Sequence, residues 1–199
     1  MIHPFILERA LERLRDLQEE QRNNPDEEYL FITRSKERVL QRYGALFNPE
    51  NLDNLTSEQF LAFLSFRENG HWNGLARSGT KVTSDMNRLR YALKILLDES
   101  QPVVKRIDFI DERDKAGYIP GLGKALYTAI LFVSYPDKYG VWNQRSEDCL
   151  KMLDLWRKPA AHTTQGQMYA YMNRVFLEVA AAMKVDLWDL DTLWWLLTI

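Results

Sequence analysis

A glycine turn in front of an apolar stretch is the part of this sequence best suited to do chemistry. Gly121, Leu122 and Gly123 form the turn, and Lys124 and the apolar residues 125–133 follow it. Glycines let the backbone turn tightly and leave its N–H groups uncovered. A helix that begins there points its free N–H groups and the positive end of its dipole at the same place. The pattern predicts a phosphate-binding site, to which Lys124 adds a formal charge.

A polar run follows the apolar stretch after Pro136 ends it. The run contains Asn143, Gln144, Arg145 and Glu147. An asparagine at a helix start accepts hydrogen bonds from the free backbone N–H groups, so Asn143 is interpreted first as a cap. Because the run lies downstream of a turn that could hold phosphate, a nucleotide pocket is the second interpretation.

Residues 67–84 form the least regular segment and contain three glycines. A loop of this length in a small protein is usually functional or mobile. Trp72 could stack on a base or enter a duplex as a wedge with His71, and Arg77 could hold a phosphate. The alternative is that Trp72 fills a gap between helices and that His71 is a surface residue.

The turn that begins at Pro120 resembles the helix-hairpin-helix of the endonuclease III-like DNA glycosylase superfamily, and the resemblance is clearest over residues 104–153. In that family a Pro-Gly-hydrophobic-Gly turn joins two helices and holds a DNA phosphate, and a catalytic Asp lies downstream. At the family's spacing that position is Asn143 here, so an amide replaces the carboxylate. The lysine of the family's bifunctional members falls at Ala125, which disfavours a Schiff-base lyase.

The resemblance implies a monofunctional DNA N-glycosylase that binds duplex DNA, flips a damaged or modified base and hydrolyses its N-glycosidic bond. An Asn carries no charge to stabilise the positive sugar, so Glu147, one turn further on, is the candidate acid beside Asn143. An inactive helix-hairpin-helix DNA-binding module is the alternative. The second alternative is a helical protein-interaction domain that docks through its C-terminal tryptophans, which are otherwise interpreted as core and lid residues. The base recognised, a role in repair or in defence against foreign DNA, and whether Asn143 catalyses or only binds are left open.

Composition limits the class of protein. The single cysteine, Cys149, rules out an iron–sulfur cluster held by four cysteines. His3, His71 and His162 lack the spacing of metal ligands, so we expect neither a metal nor a cofactor. No apolar run is long enough to cross a bilayer, and the N-terminus becomes charged too early for a secretory signal. We therefore expect a cytoplasmic protein without a membrane partner.

The charge is unevenly distributed. The net charge is −2, yet residues 67–124 carry 11 Lys and Arg against 8 Asp and Glu. A local basic face is sufficient for contact with a duplex, although scatter over solvated helices explains the excess equally well.

Helical periodicity without a half-buried strand predicts an all-α fold. We expect one helix-hairpin-helix unit over residues 1–199, with two lobes around a cleft, and a monomer. One lobe would span residues 30–135 with the hairpin at 104–134, and residues 1–29 and 136–199 would form the other. The predicted helices cover about 4–21, 26–43, 85–97, 102–115, 143–153, 164–183 and the segment after Asp186, with a further helix beginning at Thr56. Gly44 is interpreted as the end of the second helix.

Overall fold

Eleven α-helices and two short 3₁₀ helices form the secondary structure of residues 2–198, which the computed structural model describes. This part of the chain contains no strand, so the predicted all-α class is confirmed. The 3₁₀ helices span Pro49–Asn54 and Leu75–Ser78. The α-helices are α1 (Pro4–Asn23), α2 (Glu27–Leu46), α3 (Ser57–Leu64), α4 (Phe66–Asn69), α5 (Gly79–Val82), α6 (Met86–Leu96), α7 (Val103–Asp111), α8 (Lys124–Ser134), α9 (Gln144–Met152), α10 (Gln165–Met183) and α11 (Leu187–Leu197).

Several helices begin at the capping residues that the sequence predicted. Thr56, Asp85, Thr164 and Asp186 each precede a helix, and each side chain accepts a hydrogen bond from the backbone N–H three residues further on. Such a bond satisfies one of the donors that every helix start leaves unpaired. These starts were predictable because a cap depends only on neighbouring residues.

The prediction that Gly44 ends the second helix is wrong. α2 continues to Leu46, and Gly44 lies inside it. A Cβ atom at Gly44 would lie 3.0 Å from the carbonyl oxygen of Val133, so the missing side chain lets α2 approach the backbone of α8.

Helix α8 is buried along most of its length. Its residues from Leu126 to Val133 are all buried, which explains the uninterrupted apolar stretch in the sequence. α7 ends at Asp111, earlier than predicted, so residues 112–123 connect the two helices. Whether this pair is a helix-hairpin-helix of the DNA-binding type stays a prediction.

The core joins elements from both predicted lobes. α7 packs against α10, and α2 contacts both α8 and α11. The division into two lobes and the cleft between them stay predictions. Trp188, Trp194 and Trp195 of α11 are buried. This confirms their interpretation as core residues and rules them out as an exposed docking surface.

Candidate functional site

A cavity of about 430 Å³ lies between the segment after α4, the start of α9 and helix α11. Its volume is within the range of small-ligand pockets, which combine apolar walls with a few polar groups. The aromatic lining residues are Phe66, Trp72 and Trp195. The polar and charged lining residues are Glu28, His71, Asn73, Arg77, Asn143, Gln144, Arg145 and Asp191.

A buried carboxylate, Asp191, lies in this cavity with 6% of its surface exposed. Its Oδ2 accepts a hydrogen bond from Trp72 Nε1 at 2.8 Å and lies 3.3 Å from His71 Nε2. Its Oδ1 accepts no hydrogen bond from residues 2–198 and is not among the enclosed polar atoms without a partner. Oδ1 is therefore the carboxylate oxygen that a ligand in the cavity can reach.

Burial shifts both members of the His71–Asp191 pair away from their charged forms. Desolvation raises the pKa of Asp191, and His71, the Trp72 N–H and Arg145 oppose that rise. Desolvation lowers the pKa of His71, and Asp191 opposes that fall. The two side chains form a buried titratable pair in which desolvation shifts both pKa values. Groups with shifted pKa values are frequent at functional sites.

The alternative interpretation of Trp72, as a residue that fills a gap between helices, is confirmed, whereas the interpretation of His71 as a surface residue is wrong. Only 4% of Trp72 is exposed, and its ring packs edge-on against Phe132 and Trp188. His71 stacks on Trp72 with the ring centroids 5.3 Å apart. A side chain packed in this way cannot enter a duplex as a wedge. Both residues instead line the cavity from within the protein.

Asn143 is a helix cap that also lines the cavity. Its Oδ1 accepts from the N–H of Ser146, and the Ser146 hydroxyl accepts from the N–H of Asn143, each at 3.0 Å. This reciprocal pair begins α9 as the sequence predicted. The amide Nδ2 donates no hydrogen bond within residues 2–198, so it is free for a ligand. A catalytic role for Asn143 stays a prediction.

Glu147, the predicted acid, does not line the cavity with Asn143. Its carboxylate accepts from Trp142 Nε1 at 2.7 Å and forms an ion pair with Lys124. The Lys124 ammonium also lies 4.5 Å from the centre of the Trp142 ring. The two predicted site residues therefore neutralise each other, because α8 and α9 bring their side chains together.

The glycine turn keeps its backbone donors open. The N–H groups of Gly123, Lys124 and Ala125 donate to no acceptor within residues 2–198, and no side chain caps α8. Ala125 also lines the cavity. Leu122 differs from its prediction, because its side chain is buried and its N–H donates to the carbonyl of Ile119.

Gly121 and Gly123 have different structural roles. Gly121 has a φ of +92°, and an added Cβ would lie 3.1 Å from Val82 Cγ2, so it supports the turn against α5. Gly123 is exposed and has open space where a Cβ would be. The accessible part of the turn is therefore its last residue and the amides that follow.

Two arginines lie at the cavity. Arg77 and Arg145 are exposed and both line it, and Arg145 donates to the Thr198 hydroxyl at 3.4 Å. Gln144 lines the same cavity and donates to Asp148. The predicted residues Arg77, Gln144 and Arg145 are thus brought together with Asn143.

Asp191, Trp195 and Glu28 line the cavity without having been predicted. Asp191 is an acidic residue within the apolar sequence of α11, and that mismatch was the available signal. Trp195 reads as a core residue, and Glu28 reads only as a favourable charge at the start of α2.

Within the described residues, none of the helices has the length and apolarity needed to cross a bilayer. The same residues contain no group of three or more His, Cys, Asp or Glu that could hold a metal ion. Comparison with known proteins found no matching family model, no matching curated protein and no matching solved structure. The function is therefore inferred from the cavity and the turn alone.

Proposed function

We propose that this protein binds duplex DNA and holds one extruded nucleotide in the cavity lined by Trp72, Asn143 and Asp191. The observation that carries the proposal is the association of unpaired turn amides, two arginines and an aromatic cavity in one region. Unpaired backbone amides and arginines are suited to bind phosphate groups, and an aromatic cavity is suited to bind a nucleobase.

The proposed contacts correspond to the parts of a nucleotide. The N–H groups of Gly123, Lys124 and Ala125 are free to hold a backbone phosphate. Arg77 and Arg145 add charge at the same cavity, where each can contact a phosphate. Phe66 and Trp195 offer surfaces for a base, and stacking on an aromatic side chain contributes about 1–3 kcal/mol per base.

Extrusion of a base costs a few kcal/mol of stacking and pairing. One stacking contact and two or three phosphate contacts offset an energy of that size. Since the protein is acidic overall, we expect weak binding to undistorted duplex and tighter binding where a mismatch has already weakened the stack.

The test is a titration of fluorescent duplexes with and without a central mismatch, repeated at several salt concentrations. We expect the logarithm of the association constant to fall linearly with the logarithm of the salt concentration, with a slope of about −2 to −3 for two or three phosphate contacts. A 2-aminopurine at the mismatch should brighten as it leaves the stack. A severalfold loss of affinity in Arg77→Ala and in Arg145→Ala, but not in Arg174→Ala outside the cavity, supports the proposal. Equal affinity at all salt concentrations contradicts it.

Hydrolysis of the N-glycosidic bond is the second candidate, and Glu28 favours it. This exposed side chain lines the cavity and has no ion pair or side-chain hydrogen bond within residues 2–198. A carboxylate there could stabilise a positive sugar, which Asn143 cannot do by charge. Glu147 is less suited, because Lys124 and Trp142 already occupy its carboxylate.

Alkaline strand scission after incubation with damaged and modified duplexes separates the two candidates. A glycosylase leaves abasic sites, and Glu28→Gln should reduce their number while leaving duplex affinity nearly unchanged. Glu27→Gln, which changes the neighbouring exposed carboxylate that does not line the cavity, is the matched control. Intact strands with every duplex would contradict hydrolysis, and DNA binding would be the remaining candidate.

A further inference from the structure

The unpaired oxygen of Asp191 is the polar atom in the cavity best suited to read a base. Asp191 is 6% exposed, and its Oδ1 receives no hydrogen bond from the described residues. Because Oδ1 is accessible from the cavity, a ligand that displaces solvent from it without supplying a donor loses binding energy. The carboxylate therefore favours a ligand that carries a hydrogen-bond donor, and on a nucleobase that donor is an N–H group.

The orientation of this carboxylate is fixed by the residues around it. Trp72 Nε1 donates to Oδ2 at 2.8 Å, and His71 Nε2 lies 3.3 Å from the same oxygen. The two rings are themselves stacked, so neither can turn away without losing contact with the other. Because both neighbours contact Oδ2, only Oδ1 remains for the ligand, and a single donor is favoured over a pair.

A carboxylate oxygen distinguishes the bases by their hydrogen-bonding edges. Cytosine, adenine and guanine carry an exocyclic amino group, which donates a hydrogen bond, whereas thymine has none. The only N–H on the pairing edge of thymine lies between two carbonyl oxygens, whose partial negative charge would face the carboxylate. A charged acceptor that is left unpaired, or placed against another acceptor, loses binding energy.

We propose that Asp191 recognises the extruded base through an exocyclic amino group, so that the cavity selects cytosine, adenine or guanine over thymine. This inference rests on the proposed function and names the substrate class of the same cavity. Modified bases that keep an amino N–H at that position belong to the class, and those without one do not.

The first test uses the wild-type protein and free mononucleotides. Trp72 and Trp195 line the cavity, so base binding should quench tryptophan fluorescence. We expect deoxycytidine and deoxyadenosine monophosphates to bind about 10- to 100-fold more tightly than thymidine monophosphate, as for one hydrogen bond to a charged group. The N4,N4-dimethyl form of deoxycytidine monophosphate, which has no amino N–H, should bind no better than thymidine monophosphate. Equal binding of these nucleotides, or quenching by none of them, overturns the inference.

The second test changes the acceptor. Asp191→Asn has the same shape but offers an amide that can donate as well as accept, so the preference for amino-bearing bases should disappear. Asp53→Asn, an equal change of charge at a side chain that is 74% exposed, should keep it. Circular dichroism establishes that both variants are folded. If Asp191→Asn does not fold, the dimethyl nucleotide tests the same hydrogen bond in the wild-type protein.

A third test separates this inference from the proposed function. Duplexes that contain one bulged cytosine, adenine or thymine are titrated with wild type and Asp191→Asn. Tight binding of all three without preference supports DNA binding and overturns recognition by Asp191. Absence of duplex binding, together with a mononucleotide preference that depends on Asp191, overturns the DNA-binding proposal and supports the recognition.

Discussion

Two carboxylates in this protein have similar partners and different surroundings. Glu147 accepts from the indole N–H of Trp142 and is paired with Lys124. Asp191 accepts from the indole N–H of Trp72 and lies beside His71. The carboxylate of Glu147 is neutralised by the Lys124 ammonium and lies outside the cavity. Asp191 lines the cavity, and its Oδ1 is accessible to a ligand there.

The difference shows which of the two sites can act on a ligand. An ion pair whose hydrogen bonds are already formed has few groups free to bind a ligand, so a substitution there changes mainly the stability of the protein. A carboxylate oxygen that faces a cavity and has no partner within the protein can accept a hydrogen bond from a ligand. We therefore expect changes at Glu147 to alter folding, and changes at Asp191 to alter binding.

The largest effect on stability is expected for Glu147→Ala. The substitution removes the acceptor of the Trp142 N–H and the partner of Lys124, and the loss of a mostly buried ion pair is strongly destabilising. Since 34% of the Lys124 side chain is exposed, solvent screens part of the interaction, and we expect a loss of about 2–3 kcal/mol. Urea denaturation measures it. The exposed pair changed in Asp53→Ala serves as control, with an effect within about 0.5 kcal/mol. A loss of the preference for amino-bearing bases in folded Glu147→Ala would contradict the contrast.

The two glycines of the turn repeat the contrast on a smaller scale. Gly121→Ala places a side chain at a φ of +92° and close to Val82, so we expect a loss of about 1–2 kcal/mol in the free energy of unfolding. Gly123→Ala meets open space and should lose only about 0.5 kcal/mol, as for a change of helix cap. Its methyl group stands beside the free amides and should weaken duplex binding. Thermal unfolding and duplex titration of both variants measure the two effects, and unchanged duplex affinity in Gly123→Ala would argue against a phosphate at the turn.

The open site should respond to pH. Asp191 accepts a hydrogen bond from an amino group more strongly when ionised, so binding is tightest above its pKa and weakens as pH falls through it. Burial raises that pKa above the ordinary value of 3.8, so the loss should begin at a higher pH than for an exposed carboxyl. Nearby titratable or charged groups are His71, Arg145, Cys149, Glu28 and Arg77.

The measurement is the affinity for deoxyadenosine monophosphate as a function of pH. We expect a decrease of about tenfold in wild type, corresponding to one hydrogen bond to a charged group. Asp191→Asn carries no titrating carboxyl there and corrects for ionisation of the nucleotide and of His71. Parallel profiles for the two proteins would exclude Asp191 as the titrating acceptor.

Local chemistry explains which parts of this structure were predictable from the sequence. Asn143 was interpreted as a cap from its own position, and Ser146, three residues away, completes that cap. The helix starts at Thr56 and Asp186 follow from the same short-range rule. Gly44 was misread because its role depends on α8, which is distant in sequence.

The site required contacts that no local pattern contains. Trp72 and Asp191 meet across 119 positions of the chain, and Lys124 and Glu147 across 23. Glycines around Trp72 favoured a mobile loop, but Asn69 binds the turn, since its Oδ1 accepts from the N–H groups of His71 and Trp72. The sequence therefore predicted most of the cavity's polar residues but neither of its two carboxylates, Glu28 and Asp191.

The smallest expected effect is the difference in DNA binding between cationic side chains without an ion-pair partner and one that has such a partner. Arg77 and Arg145 line the cavity, and neither forms an ion pair within residues 2–198, whereas Lys124 is paired with Glu147. If an arginine holds a phosphate, its replacement by alanine should make the salt dependence of duplex binding shallower by about one unit of logarithmic slope and reduce affinity severalfold. Lys124→Ala should change the slope less, because its charge is already neutralised by Glu147. Duplex titrations from low to moderate salt measure the three slopes. A larger change for Lys124→Ala than for either arginine would mean that the ion pair opens on DNA, and the two carboxylate sites would then no longer differ in kind.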